Sequence, residues 1–448
     1  MAVKRTVLKN DNNSNNNKKP SAKAAVGVEV GDAADEECDK LNNKNTNNND
    51  TKNNNNNNKL TVPGMPMAVE APSSEGRMFG REGRLQPQQQ QQGRLFGREG
   101  RLRIIQVTDL HIMDIGRAFG ATHPQVPGEW CASVGDSQVC LRKTLGLIRE
   151  AVVSQAVDVA VLTGDIVDAR AVSTLEEFLA AFRPLAETLA ELGVPWVYIP
   201  GNHEEGHGEA YARSDLRELL AMPGSLCPPG SLDSFDQTHL LLIAGGQGLE
   251  DDGQPVGWAV LQLMDARWTA STCFITEAQV LSARQGFEQA LSQCSEPGAH
   301  RSVAKLAFAH EPFDSFADAA IPIVSGQSCY EPRQKMQDSG YLSILREQRF
   351  HGLFVGHNHH NDFVRWAAAA APSSPCNNNS NNNNSSPWLG HGRCGSFFPP
   401  SSWEGRYPLP FGRGARLFQV DASRGELSTW VYEEKLGALE ASRLVQPL

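Results

Sequence analysis

The sequence predicts an α/β fold: one large domain with a mostly parallel sheet, behind a low-complexity leader. Three observations predict it. From Arg103 onward, short β-branched runs alternate with stretches of helical apolar spacing. One of the runs, Val157–Thr163, is almost wholly apolar, as a strand covered on both faces requires. The first hundred residues instead carry the Asn-rich stretches Asn12–Asn17 and Asn53–Asn58 and the Gln run Gln88–Gln92. Such a segment buries too little apolar surface to offset its ordering entropy. The 448 residues would permit two or three domains by length. Composition favours a disordered leader over 1–101 and one domain over 102–448.

The elements follow in order. Arg103–Thr108 is a short β run (Ile104, Ile105, Val107) that ends at Asp109. Cys140–Gln155 has helical spacing through Leu141, Leu145, Ile148 and Val152, and Ser173–Leu192 through Leu175, Phe178, Leu179, Phe182 and Leu185. Pro195–Ile199 is the next strand, closed by Pro200-Gly201. In the second half, Leu240–Ala244, Trp258–Leu263, Val303–Ala309 and Gly352–Val355 read as strands, and Glu277–Leu291 and Tyr341–Gln348 as helices. Ala415–Asp421 and Leu427–Val431 read as closing strands. The Asn-rich Pro372–Pro387 reads as a surface insertion within the domain.

Charge and cysteine usage narrow the function classes. A net charge of -10 does not suit broad phosphate-backbone binding, so nucleic acid is not expected as primary partner. Nine cysteines without a CxxC pair argue against a zinc ribbon or a thioredoxin-type site. Cys131 and Cys140 either pair across a short loop or are two ordinary thiols. No run approaches the ~20 apolar residues of a membrane span, and Met1–Lys19 has no apolar signal region, so the default compartment is inside the cell. A ten-residue motif at Gly76–Leu85 recurs at Gly93–Leu102 and reads as a local duplication in a linker. Oligomeric state is not legible.

The chemistry-bearing residues cluster where predicted strands end. Asp109 and His111 follow the first strand, Asp165 the second, and Asn202, His203 and Glu204 the third. His310 follows Leu306–Ala309, and His357 and His359 follow Leu353–Val355. Ligands bind at the carboxyl ends of strands in open α/β sheets. Imidazole and carboxylate donors without thiolate suit Zn, Fe or Mn. Two-metal hydrolases hold their ions ~3.5–4 Å apart, and a bridging carboxylate is the natural way to set that spacing; Asp165 is the candidate.

The blocks Asp109-Leu110-His111, Gly164-Asp165, Gly201-Asn202-His203-Glu204, His310 and Gly356-His357-Asn358-His359 resemble, in order, the motif set of the calcineurin-like metallophosphoesterases. Phe354–Phe363 and the tail from Cys394-Gly395 through Trp403-Glu404-Gly405 to Gly414-Ala415-Arg416-Leu417 resemble, more narrowly, the small purple-acid-phosphatase-related proteins of plants and fungi, which also carry two cysteines near Cys131 and Cys140. The resemblance implies a four-layer α/β/β/α sandwich and two bound metal ions. Asp109, His111, Asp165 and His359 would hold the first ion, and Asp165, Asn202, His310 and His357 the second. It also implies hydrolysis of a phosphate ester, most directly a monoester, by hydroxide held between the ions. His203 would act as general acid and Glu204 as the carboxylate that orients it. A phosphodiesterase and a non-catalytic scaffold of the same fold are the alternatives. The chain departs from true purple acid phosphatases at Asp168, where they carry Tyr, and at His111, where they lack a histidine. Asp168 itself reads as a helix cap and Asp362 as structural, as do His123, His207, His239, His300, His351, His360 and His391. Specificity is expected from loops 118–137, 204–212, 313–335 and 397–413.

Overall fold

The computed structural model describes residues 101–114, 137–204, 213–227, 239–244, 258–265, 267–268, 273–293, 303–318, 321–328, 339–367, 386–398 and 412–448. The expected leader, most of the Asn-rich insertion and much of the four specificity loops lie outside these residues.

The first half runs β1 (Arg101–Val107), α1 (Ser137–Gln155), β2 (Val159–Thr163), α2 (Leu175–Glu191) and β3 (Trp196–Ile199). β4 (His239–Ala244), β5 (Trp258–Leu263), the small hairpin β6 (Arg267–Trp268) and β7 (Cys273–Phe274), α3 (Glu277–Gln293) and β8 (Val303–Phe308) follow. The chain closes with β9 (Ile323–Ser325), α4 (Tyr341–Glu347), β10 (Gly352–Val355), β11 (Val364–Trp366), β12 (Trp388–His391), β13 (Gly414–Asp421), β14 (Glu426–Glu433) and β15 (Gly437–Pro447).

The strands form two main sheets, in the orders β15-β14-β13-β1-β2-β3 and β4-β5-β8-β10-β12-β11-β9. β1, β2 and β3 are parallel, as are β5, β8, β10 and β12; the outer strands pair antiparallel. Successive side chains of a strand face opposite sides, and burial follows that period. Val159 and Val161 of β2 join Ile104, Val197, Leu261, Leu306, Phe354 and Phe418 in a core between the sheets. Ala160 and Leu162 turn the other way, to pack with Phe178, Phe182 and Leu185 of α2 and Leu147, Ile148 and Val152 of α1. On the second sheet, Val260, Ala307 and Leu353 pack outward against Phe287 of α3 and Tyr341 and Leu345 of α4. Three cores separate four layers, α/β/β/α. Phe418 sits edge-on to Phe308 and Phe354, with ring centroids 5.6 and 4.5 Å away, so aromatic packing locks one sheet to the other.

α2 shows why local sequence sets the boundaries. Thr174 caps it by accepting from Glu177 N at 3.2 Å, while the Glu177 carboxylate reaches back to Ser173 N at 2.7 Å. The sequence reading misses β6, β7, β9, β11, β12 and β15. They are two to four residues long, or charged like β15 with Glu440 and Arg443, and take their identity from pairing. Cys140 is disulfide-bonded, and Cys131 lies outside the described residues.

Candidate metal centre

β1, β2 and β3 of one sheet and β8 and β10 of the other end on one rim. Gln106 ties the two sheets there: its Nε2 donates to Thr163 Oγ1 at 3.1 Å and to the Val355 carbonyl at 3.2 Å. Beyond the strand ends the loops are laced by backbone bonds, Asp109 N to Gly164 O at 3.1 Å and His111 N to Asp165 O at 2.9 Å. Asp109, His111, Asp165 and His357 all hold positive φ, between 46° and 67°. Such conformations cost a few kcal/mol each in non-glycine residues and cluster where function holds them. Gly356 is packed so closely that a Cβ there would overlap Thr108 Oγ1 and sit 2.9 Å from Asp109 Oδ2.

Two donor groups meet at Asp165. Asp109, His111, Asp165 and His359, all buried, place one ligand atom each within 4.8 Å of one another, as do Asp165, His310 and His357. Asn202 completes the second group, its Oδ1 3.0 Å from both His310 Nε2 and His357 Nδ1. Each expected ligand therefore lies at this rim, and Asp165 belongs to both groups.

The histidines are oriented from behind. His310 Nδ1 lies 2.8 Å from the Thr163 carbonyl, which can only accept, so Nδ1 carries a proton and Nε2 faces the centre. His111 Nδ1 lies 3.3 Å from Asp168 Oδ2, leaving Nε2 to face His359 Nε2 at 3.0 Å. Two imidazole nitrogens that close repel unless a proton or a cation sits between them, and Asp109 and Asp165 supply the negative charge a cation would balance. His310 answers that negative charge: burial opposes its protonation, but Asp165, Asp109 and Glu311 together outweigh burial and raise it to about 10. Asp109 is raised by burial but pulled down to about 2 by His359 and His310. His357 is pushed down to about 3 by burial and by the charge on His310, which keeps it neutral, as a ligand must be. The donor set thus fits hard or borderline divalent ions.

Two carboxylates depart from the sequence reading. Glu204 is expected beside the His203 imidazole, but its Oε1 accepts from Ile166 N (2.7 Å) and Val167 N (3.2 Å), and its Oε2 from Gly201 N (2.6 Å) and Asp165 N (3.0 Å). It ties the loop after β2 to the loop after β3. Burial and the Asp165 charge raise it to about 7. The carboxylate near His203 is that of Asp168, with Oδ2 3.7 Å from His203 Nδ1. Asp168 stands where the sequence reading puts a cap, directly before the 3-10 turn Ala169–Ala171 with its carbonyl accepting from Ala171 N at 3.0 Å, but its carboxylate is also fully buried between His111 and His203. Glu311 brings a buried carboxylate to 3.7 Å from His357 Nδ1. His203 is partly exposed on the rim, its ring edge-on to His111 at 4.8 Å. A separate cavity of about 490 Å³, lined by Lys143, Glu150, Phe397 and Arg413 among others, uses none of these residues.

Two packed sheets flanked by helices meet at a histidine–carboxylate cluster, at their strand ends, that could hold metal ions. Residues 102–361 match the family model of the calcineurin-like phosphoesterases, and the chain belongs to that family. No curated protein matches it. Among solved structures, GAP50, the anchor in the inner membrane complex of Plasmodium, is 13% identical, with 78% of this chain and 88% of its own covered and a TM-score of 0.42. TT1561 of Thermus thermophilus is 9% identical over 73% of this chain and 97% of its own, TM-score 0.32. A conserved uncharacterized protein of Streptococcus pneumoniae, a predicted phosphoesterase, is 9% identical over 78% and 98%, TM-score 0.25. Among the described residues no helix is long and apolar enough to cross a membrane.

Proposed function

We propose that the chain is a dinuclear-metal phosphatase acting on phosphate monoesters. The observation that carries this reading is the sharing of Asp165 between two donor groups. Asp109, His111, Asp165 and His359 would hold one ion; Asp165, Asn202, His310 and His357 would hold the other. Iron, manganese and zinc all suit these donors. The ions, when bound, supply Lewis-acid chemistry: activation of water and charge against the phosphoryl oxygens.

The chain's own groups do the rest. His203 stands at the open side of the centre with Asp168 behind its Nδ1. As an imidazolium, protonated on both nitrogens with the Asp168 charge near Nδ1, His203 would give its Nε2 proton to the leaving oxygen, a step typically worth ~10²–10⁴-fold. Asn202 presents its amide beside His310 and His357 and orients the substrate's phosphoryl group. Glu204 holds the loops that carry Asp165 and His203 in register. The phosphomonoester preference rests on the likeness of Phe354–Phe363 and Cys394–Gly405 to purple-acid-phosphatase-related proteins.

The test compares His203→Ala with wild type on an alkyl and an aryl phosphate, and on a diester, with manganese, zinc or iron present. Alkyl turnover should fall at least tenfold further than aryl turnover, because the alkoxide needs its proton more. Equal losses on both would remove His203 from the general-acid role, and faster hydrolysis of the diester would move the assignment to a phosphodiesterase.

A further inference from the structure

We propose that His391, read as structural from the sequence, is a positioning residue: it fixes the peptide between Gly356 and His357, and through it the carboxylate that Asp109 offers the first ion. This rests on the dinuclear reading above. The N–H of that peptide donates to Asp109, with His357 N 3.0 Å from Oδ1 and 3.1 Å from Oδ2. Its carbonyl, on Gly356, lies 3.3 Å from His391 Nδ1. A carbonyl can only accept, so Nδ1 carries the proton in that bond. The same oxygen also accepts from Asn358 N at 2.8 Å, as its two lone pairs allow. One planar unit therefore transmits a grip on its oxygen to the carboxylate beyond its nitrogen. Thr108 Oγ1 holds that carboxylate from another side, 2.7 Å from Oδ2.

His391 is itself a fixed post. It ends β12, opposite Val355 of β10, and is fully buried. Its N–H donates to the Phe363 carbonyl at 2.9 Å, and its carbonyl accepts from Arg416 Nε at 2.8 Å. The ring packs against Phe316 and Phe363, with centroids 5.2 and 4.7 Å away. The peptide, by contrast, has a reason to flip. Gly356 puts no side chain in the way of a change in ψ, and His357 holds φ at 67°, a region that strains a non-glycine residue. Flipping would return that φ to the ordinary negative range and take the N–H away from Asp109. The His391 bond opposes that flip. Hydrogen-bond partners behind a metal ligand commonly govern metal affinity by about 10–100-fold.

The experiment titrates zinc into metal-free wild type, His391→Phe and His391→Asn, by calorimetry with circular dichroism in parallel. His359→Ala identifies which binding step belongs to the first site. Phe fills the space of the imidazole but cannot donate; Asn leaves a gap but places an amide nitrogen near the position of Nδ1. The first-site step should therefore weaken about tenfold or more in His391→Phe and distinctly less in His391→Asn. A residue that only packs predicts the reverse order, with Phe the better substitute, and that order would overturn the proposal. Wild-type zinc affinity in His391→Phe, or loss of its fold, would overturn it as well. A wild-type chain that binds no zinc would remove the dinuclear reading, and the proposal with it.

Discussion

Asp165 and Asp168, three residues apart, divide the work of the centre. Asp165 faces both donor groups, and its Oδ1 also accepts from His203 N at 2.8 Å. Asp168 turns the other way, reaching His111 at 3.3 Å and His203 at 3.7 Å through one oxygen. It therefore lies beside both a proposed metal ligand and the proposed general acid, from a fully buried position. Asp168→Asn keeps the shape and removes the charge, so the protein should fold while turnover falls about 10–100-fold with little change in KM. Steady-state kinetics on an aryl phosphate checks this; wild-type turnover in the variant would show that Asp168 only fills space. Asp168 was legible as a position in a motif, but its partners lie 57 residues upstream and on the next strand's loop, and no local spacing reveals them. Glu204 misleads for the matching reason. Adjacent to His203 in sequence, it turns its carboxylate into four backbone amides instead.

At the scale of elements, the centre depends on strand ends meeting backbone to backbone. Thr108 Oγ1 bridges Asp109 Oδ2 at 2.7 Å and the Thr163 carbonyl at 3.2 Å, and Gly356 of the other sheet lies against the same group. Gly356→Ala forces a methyl into Thr108. Overpacking of this kind costs about 1–3 kcal/mol, and here the strain falls on the residues beside Asp109. The variant should lose metal affinity by at least tenfold while keeping its secondary structure, read by metal titration with circular dichroism; unaltered affinity would mean that the loop yields freely. The five motif blocks were legible because each is a short local pattern at the end of an apolar run. β11 and β12 were not, since three- and four-residue strands acquire their identity from pairing, here Val364 with Gly390 and Trp366 with Trp388. The buried pairing of Arg393 with Asp362 and Glu433 is of the same kind, joining residues 31 and 40 positions away.

For the whole molecule, acid stability should be set in part by His351, far from the strand-end rim. It joins β8 to β10: its Nδ1 accepts from Lys305 N at 3.0 Å, and its N–H donates to the Lys305 carbonyl at 2.8 Å. Burial, with the Lys305 charge added, lowers it from 6.5 to about 4. A depressed base is neutral in the fold, so its contribution is full above pH 6.5 and is lost as pH falls towards 4. The shift corresponds to about 3 kcal/mol over that window. Urea midpoints should fall from pH 7 to pH 4 in wild type and fall distinctly less in His351→Gln; parallel curves would exclude His351 as the source. The Cys140 disulfide bears on compartment, because such bonds persist where the surroundings oxidise. That sits against the intracellular default read from the N-terminus. The four layers follow from alternation along β2, β5 and β8, visible in sequence as apolar runs, whereas the antiparallel flanks follow from long-range pairing.

The central claim is a two-ion centre organised on one carboxylate. Its most direct test counts metal ions per chain, by elemental analysis after loading and desalting, in wild type and Asp165→Asn. The shared position predicts two ions in wild type and the loss of both on removing that single charge. One ion or none in wild type, or two ions still held by Asp165→Asn, would contradict it.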